Sequence, residues 1–306
     1  MSKNKKKREK GETRDAYLVT GLDPMHLLMT SIMGDRTDNE AVATVDVPMD
    51  GIYETIAKLN ADSPEFKYTF FHLVCAAFYR TIQQRPKMNY FIRDGKFYER
   101  KEISIACTVK KAKVDGSEEG LTIMRYKKDS DINPIEQVRT QLYKQLSQIR
   151  KSTDSKDDTI AIVDKLLHLP KPLYKLVMSI IRRMDRKGNL PKVFADVDPY
   201  LCTCFVSNIG SIKMNADYHH LINFGSNSLF MLIGRKVQKP VYHKDGSVEM
   251  KDFLPLSLTI DERIADGVYF ANSIKILKAL LMKPENLLKP ANETIDYASL
   301  CEELGL

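Results

Sequence analysis

The hydrophobic positions of the chain alternate between periods of two and of about 3.6 residues, which indicates interspersed strands and helices. A strand is predicted at 41–49 (AVATVDVPM), where small or apolar residues alternate with others. Helical spacing follows in FKYTFFHLVCAAFYRTIQQRP, and this predicted buried helix stops at Pro86. Two β-rich runs flank residues 93–95 (RDG), which is typical of a hairpin, and residues 121–126 (LTIMRY) predict a further strand.

The middle of the chain predicts helices. One apolar stripe runs through NPIEQVRTQLYKQLSQIR, with Pro134 suited to the first turn. Beyond a polar loop at 151–158, two short helices are predicted, broken at Pro170 and Pro172. The second is amphipathic across 171–187, a pattern that fits a core helix with a solvated face, a helix lying on a membrane surface, or a lid over a substrate channel.

The C-terminal third predicts mainly strands. A strand in YLCTCFVSNIGSI runs into a polar turn, three further strand-like runs follow with a hairpin turn at 243–246, and a closing helix spans about 268–282. Hairpins and helices alternate without regular βαβ units. This order predicts an α+β fold, a two-layer sandwich with a mixed β-sheet and flanking helices.

No internal repeat or linker divides the chain, so we expect one domain at 15–306, with a helical insertion at about 151–198, behind a disordered basic tail at 1–14. Six of the first ten residues are Lys or Arg, and without these ten the net charge falls from +7 to +2. The basicity therefore belongs to the tail, as a solvated arm or a weak contact with an anionic surface. No nucleic-acid motif accompanies it, so no nucleic-acid partner is expected.

Sequence features also bear on compartment and metal chemistry. No apolar run reaches the ~18 to 20 residues of a spanning helix, and no apolar segment follows the basic start as in a signal peptide, so we expect a cytoplasmic protein. The five cysteines lack CxxC spacing and lie mostly in apolar runs. Reduced thiols are expected, and no metal site is predicted.

The stretch at 261–267 (DERIADG) raises the question of catalysis. With LSLT before it and LKALLMKPENLL after it, it resembles the DHRxxDG or HHxxxDG signature of the dihydrolipoamide acyltransferases, the E2 components of 2-oxoacid dehydrogenase complexes, and more distantly of chloramphenicol acetyltransferase. Asp261, Arg263, Asp266 and Gly267 agree with that signature. Glu262 occupies the position of the catalytic histidine.

Four further segments resemble the same family in the same order. They are 70–92 (FFHLVCAAFYRTIQQRPKMNYFI, similar to the family's helix and following strand), 103–142, 205–212 (FVSNIGSI, similar to TISNLG) and 224–235 (FGSNSLFMLIGR, similar to NPPQSAILAIGR). The likeness covers roughly 40–150 and 200–290. Since about fifteen polar residues precede the first predicted element, we expect no lipoyl domain, and the insertion has no counterpart in the family pattern.

The resemblance implies a site in which a base takes a proton from a thiol or hydroxyl that attacks a thioester. Unperturbed pKa values are about 8.5 for a thiol, 6.5 for histidine and 4.3 for glutamate, so transfer to a carboxylate is uphill by on the order of 6 kcal/mol. A carboxylate can still serve when burial raises its pKa toward about 6 or 7. Glu262 is therefore the candidate altered base, and His219 or His220 is the alternative.

The remaining candidate site residues also come from the resemblance. Arg263 is expected to pair with an aspartate of the motif, and Asp266 belongs to the same motif. Ser207, or Ser211 beyond it, lies where the family offers a hydroxyl to the oxyanion. Each has a structural alternative, as a turn residue or in helix and turn stability.

Two functions follow as hypotheses. The first is a CoA-dependent acyltransferase that transfers an acyl group from a thioester to a small acceptor with an altered base, with acyl-CoA as substrate and no covalently bound cofactor. The second is a catalytically degenerate homologue that binds a small molecule or a protein. Both imply a homotrimer, because the family builds its site between neighbouring subunits, and both place the 261–267 turn at the mouth of a shared tunnel.

Overall fold

The computed structural model describes residues 11–110, 119–151, 166–191 and 198–306. The helices of eight residues or more, with one short C-terminal helix, are α1 (Pro24–Ile32), α2 (Asp50–Leu59), α3 (Phe70–Gln84), α4 (Pro134–Lys151), α5 (Lys171–Arg186), α6 (Gly267–Met282) and α7 (Tyr297–Glu303). The strands are β1 (Ala16–Leu18), β2 (Glu40–Pro48), β3 (Tyr90–Arg93), β4 (Lys96–Arg100), β5 (Ile103–Lys110), β6 (Glu119–Tyr126), β7 (Cys204–Asn208), β8 (Leu229–Ile233), β9 (Val237–Tyr242) and β10 (Val248–Asp261).

The larger sheet has the strand order β2-β10-β8-β7-β5-β6, and β9 pairs with the first part of β10. Strand β7 runs parallel to β5 and β8, whereas the other described pairs are antiparallel. Strand β10 is long enough to pair with β9 at its start and with β2 and β8 at its end. In this register Asp261 lies opposite Glu40.

The two faces of the larger sheet differ in their cover. On the first face, side chains of α2, α3, α4 and α6 form the main core with Ile105, Val206 and Met231. On the second face a smaller apolar cluster contains Phe205 and Phe230 and is covered by the chain that follows β7. Burial of the first face provides most of the hydrophobic stabilisation, because burial free energy scales with apolar area.

A separate three-stranded sheet has the order β1-β4-β3. The β3–β4 hairpin turns at Asp94 (φ 53°) and Gly95 (φ 70°), the paired left-handed conformation of a tight hairpin turn. Residues 1–10 of the predicted tail lie outside the described residues. In the part described, Glu12 forms an ion pair with Lys101 at 2.6 Å, and the backbone N–H of Thr13 donates to the Ala16 carbonyl.

Within the segment predicted as an insertion, the structure describes α5 and its flanks, while 152–165 and 192–197 lie outside the described residues. The first of the two predicted short helices falls largely there. Helix α5 includes Pro172 in its first turn, where a proline is tolerated because that N–H has no intrahelical partner. Pro172 therefore lies in the first turn of this helix and does not interrupt it.

The predicted fold class is confirmed: the protein is α+β, with helices packed on a mixed sheet. The predicted strand at 41–49, the hairpins at 93–95 and 243–246 and the closing helix are also confirmed. Strand β1 and helix α1 were not predicted, because each is short and carries no clear period. No helix in the described segments combines the length and apolar character needed to cross a bilayer.

Candidate functional site

The turn at 261–267, here called the motif turn, joins the end of β10 to the start of α6. A short 3-10 helix (Glu262–Ile264) follows Asp261, and Asp266 precedes α6. The backbone N–H of Glu262 donates to the Asn39 carbonyl at 3.0 Å, which ties the turn to the chain before β2. The backbone N–H of Asp261 donates to the Ser228 carbonyl, so the start of the turn is bonded to two different segments.

Asp261 is fully buried and lies between two arginines. Its two oxygens accept from Nε and an Nη of Arg263, each at 2.8 Å, and the Nε of Arg36 lies 3.7 Å away. Arg263 also donates to the carbonyls of Met33 and Gly34. A buried carboxylate needs such partners, since an unpaired buried charge is costly. Arg263 is thus placed to hold the turn, as the resemblance implied.

Glu262 points the opposite way and is exposed. Its side chain lines none of the four main cavities formed by the described residues. The burial that would suit a carboxylate to the role of base is therefore lacking in the single chain.

Asp266 caps helix α6. Its carboxylate accepts the backbone N–H of Tyr269 at 2.8 Å, and this bond lowers the pKa of Asp266. An aspartate at this position satisfies one of the free N–H groups of the first helical turn. The described contacts of Asp266 are those of a helix cap and involve no reacting group.

The second face of the sheet contains a cavity of about 210 Å³, here called the Ser207 cavity. Ser207 from β7 and His219 from the loop after it both line this cavity. Its other lining residues include Phe205 and Phe230, two stacked aromatic rings from neighbouring strands. His220 lines it as well, so the structure brings together three predicted site residues beside aromatic side chains.

The ring of His219 is held in one orientation. It stacks on Phe230 with ring centroids 3.8 Å apart and an interplanar angle of 7°. Its Nδ1 lies 2.8 Å from the His220 carbonyl oxygen, which can only accept, so Nδ1 donates this bond and Nε2 is the nitrogen left to act as a base. His220 has a similar bond to the Leu221 carbonyl but is more exposed.

Two polar side chains beside the cavity have acceptor or donor capacity left over. The Ser207 hydroxyl makes no hydrogen bond to any residue in the described ranges, and the buried Oδ1 of Asn208 likewise has no partner there. Ser211, the other predicted serine, is exposed and its hydroxyl donates to the Asn208 carbonyl. The Ser207 hydroxyl therefore remains available to a molecule bound in the cavity.

The motif turn and the Ser207 cavity are linked through the start of β2. Glu40, opposite Asp261, accepts the Leu221 backbone N–H and the Tyr218 hydroxyl, which anchors the loop containing His219. Arg36, beside Asp261, donates to the Ile222 carbonyl at 2.6 Å. Neither Arg36 nor Glu40 was singled out from the sequence, because both stand in a polar stretch with no period or motif.

A larger cavity, of about 320 Å³, lies at the opposite end of β7 and is rich in charge. Burial lowers the pKa of Arg100 to about 9 and raises that of Asp198 to about 6. Asp198 accepts the Tyr200 backbone N–H at 2.9 Å and so starts the segment that enters β7. In the described residues, no group of three His, Cys, Asp or Glu side chains is arranged to hold a metal ion.

Comparison with known proteins connects this geometry to a family. Residues 200–289, which contain both the Ser207 cavity loop and the motif turn, match the family model of the 2-oxoacid dehydrogenases acyltransferase (catalytic domain). The dihydrolipoyllysine-residue acetyltransferase component of the pyruvate dehydrogenase complex of Staphylococcus aureus is 40% identical over 86 residues, which is 28% of this chain. That alignment spans only 19% of the relative's own length.

Solved structures share the fold across most of the chain. The Azotobacter vinelandii dihydrolipoamide acetyltransferase, studied for the role of a serine, a histidine and an asparagine in its catalytic mechanism, has a TM-score of 0.55 at 14% identity, covering 86% of this chain and 88% of that one. A truncated catalytic core of the Thermoplasma acidophilum 2-oxoacid dehydrogenase multienzyme complex has a TM-score of 0.52 at 14% identity, covering 88% and 99%. The predicted resemblance to the dihydrolipoamide acyltransferase catalytic domain is therefore confirmed, in sequence over 200–289 and in fold beyond it.

Proposed function

We propose that this protein is a CoA-dependent acyltransferase that moves an acyl group from a thioester to a small acceptor, and that its chemistry takes place in the Ser207 cavity. One observation carries the proposal: Ser207 and a ring-locked His219 line the same cavity. The family match over 200–289 supports the reaction class.

The two side chains have complementary roles in this reaction. Nε2 of His219 takes the proton of the acceptor's thiol or hydroxyl as the acceptor attacks the thioester carbonyl carbon. The Ser207 hydroxyl donates a hydrogen bond to the oxyanion that forms. The carbon–sulfur bond then breaks, and CoA leaves as a thiol with the proton that His219 returns. CoA enters as a substrate, and no covalently bound cofactor is required.

Glu262 keeps the family's position of the base without the burial a carboxylate base needs. We assign it to the subunit contact, where its side chain would border a neighbour's Ser207 cavity in a homotrimer. Val268, on the first turn of α6, is 72% exposed in the single chain, as expected of an apolar side chain that a subunit contact covers. A monomer by mass measurement in solution would rule out this assembly.

The activity is tested by acyl transfer from acetyl-CoA to a panel of thiols, amines and alcohols. His219→Gln should lower the rate by about 10²–10⁴-fold because general base catalysis is lost. Ser207→Ala should lower it by about 10²-fold through the lost oxyanion hydrogen bond. His243→Gln, at an exposed histidine that does not line this cavity, is the matched control, and Glu262→Gln should change the rate by less than about tenfold. Equal rates for His219→Gln and wild type would contradict the assignment of the base.

A second candidate function is a binding module that keeps the fold without the chemistry. The exposed side chain of Glu262, which contacts no main cavity in the described residues, favours it. In that case wild type would transfer no acyl group to any acceptor, and Glu262→His would create activity. The same panel therefore separates the two functions.

A further inference from the structure

Helix α5 presents one exposed row that is apolar for two turns and cationic afterwards. Its members follow the i, i+3, i+7 spacing that places side chains on one helix face. They are Leu173, Leu176, Ile180, Arg183 and Lys187, all exposed. The three apolar members are 43%, 57% and 48% exposed in that order, which is far more than leucine and isoleucine in a packed helix retain.

A second exposed row on α5 is basic apart from Ser179. Its basic members are Lys171, Lys175, Arg182 and Arg186. The acidic residue of the helix, Asp185, lies on another face, with Oδ1 3.9 Å from an Nη of Arg93. Burial also raises the pKa of Asp185. The outward surface of α5 is therefore cationic with little acidic compensation from the helix itself.

Another face of α5 is less exposed. Tyr174, Val177, Ile181 and Met184 are each partly buried, and beyond the C-terminus Leu190 is 5% exposed. Leu173, Leu176 and Ile180 are therefore the apolar side chains of this helix that are most open to a partner.

We propose that the outward face of α5 is a docking surface for anionic lipid bilayers. Leu173, Leu176 and Ile180 would enter the boundary between headgroups and acyl chains, while the basic side chains extend to lipid phosphates. A bilayer supplies an apolar layer and negative charge side by side, which matches both rows. An acidic protein partner would explain the basic row but not the exposed apolar row. This proposal is independent of the acyltransfer proposal.

The test is flotation of the full chain with lipid vesicles. Vesicles of phosphatidylcholine with about 30 mol% phosphatidylglycerol should carry the protein at about 0.1 M salt, and pure phosphatidylcholine vesicles should carry at least about tenfold less. Raising the salt to about 0.5 M should reduce binding at least several-fold. The double variant Leu176→Glu/Ile180→Glu should lose about tenfold or more.

Two further variants serve as a control for exposed apolar residues and as a test of the basic row. Met250→Glu, at an apolar position that is 57% exposed on another part of the surface, should bind as wild type does. Lys175→Glu/Arg182→Glu should weaken binding to anionic vesicles and leave the unfolding temperature unchanged, because both side chains are exposed.

Three results would overturn the proposal. Wild type that stays unbound with anionic vesicles excludes the lipid surface. Undiminished binding by Leu176→Glu/Ile180→Glu shows adhesion by charge alone, as an acidic protein would also elicit. Self-association that disappears in the same double variant, without vesicle binding, assigns the face to a second copy of the chain.

Discussion

The motif turn and the loop that borders the Ser207 cavity lie in the same matched segment but use their polar residues differently. In the motif turn, Asp261 and Arg263 bind each other and the surrounding backbone. Beside the cavity, the buried Oδ1 of Asn208 lacks a partner in the described part of the chain, and Ser207 lines the cavity itself. In the single chain Asp261 and Arg263 act as a structural clamp, and the residues that we propose for the chemistry lie about fifty positions earlier.

This difference suggests why the motif can keep its aspartates and arginine while carrying Glu262. At the start of the short 3-10 helix that follows β10, Glu262 is exposed while Asp261 and Arg263 on either side of it are buried, so these two can keep their pairing whichever residue stands between them. Their pairing stabilises the turn whether or not the exposed position holds a base. The presence of a family motif is thus separable from the presence of the family's chemistry.

The largest expected effect on stability is that of Asp261→Asn. Loss of this carboxylate leaves the buried guanidinium of Arg263, and that of Arg36, without an anionic partner, so we expect a loss of about 3–5 kcal/mol in the free energy of unfolding. Urea denaturation measures it. Glu262→Gln, one position along and exposed, should change the same quantity by less than about 0.5 kcal/mol. Similar losses in the free energy of unfolding for both variants would show that the buried carboxylate contributes no more to stability than the exposed one.

Gly210→Ala should cause the next largest loss in the free energy of unfolding. A Cβ at Gly210 would lie 2.2 Å from the carbonyl oxygen of Gly234, and backbone on both sides limits relief, so we expect a loss of about 1–3 kcal/mol. Gly267→Ala is the matched control, since a Cβ there meets no atom within 4 Å, and helix propensity makes it neutral or slightly stabilising. Thermal and urea unfolding compare the two. A tolerated Gly210→Ala would mean that the turn after β7 is loosely packed.

Asp198→Asn should raise stability at pH 7. Burial raises the pKa of Asp198 to about 6, above the usual aspartate value of 3.8, so its protonated form is favoured in the folded state. The stability that this proton contributes is complete below about pH 4 and is lost as the pH rises to about 6. Asparagine carries no charge at any of these pH values, so Asp198→Asn should increase the free energy of unfolding at pH 7 by about 1–2 kcal/mol.

Urea unfolding of wild type and Asp198→Asn at several values between pH 4 and pH 7 measures this effect. The difference between the two proteins should grow across that window and then level off. A constant difference would show that the Asp198 carboxyl does not titrate there. The prediction concerns the entry to β7 and should leave the motif turn unaffected.

The smallest expected effect is that of Asp266→Ala. It removes the cap of α6, where Asp266 accepts the Tyr269 N–H, and should lower the unfolding temperature by a few degrees. The pKa of Asp266 is lowered in the folded state, so this contribution is present above the usual aspartate range and fades as the pH falls through the lowered value. Asp266→Asn, which keeps a capping oxygen, should recover most of the loss. A large activity loss in Asp266→Asn at unchanged unfolding temperature would give Asp266 a role in chemistry.

Much of the fold follows from local pattern, whereas less of the site does. The hairpin at 93–95 needs left-handed backbone, which Asp-Gly adopts readily, and the helix ending before Pro86 follows from the fixed backbone of proline. Ser207 and Glu262 were found through the family's motifs. The neighbouring histidines were only an alternative, because the sequence gives no sign that their loop covers β7 and β8.

The sequence by itself determined the period of each long element, the sharp turns and the identity of the motif, since these depend on residues close together in the chain. Only the tertiary structure decided that Arg36 would lie beside Asp261 and that Glu40 would hold the His219 loop. Those contacts join positions more than 170 residues apart. They exist because β2 pairs with the end of β10, and a pairing of distant strands is fixed by burial of the whole sheet rather than by any local pattern.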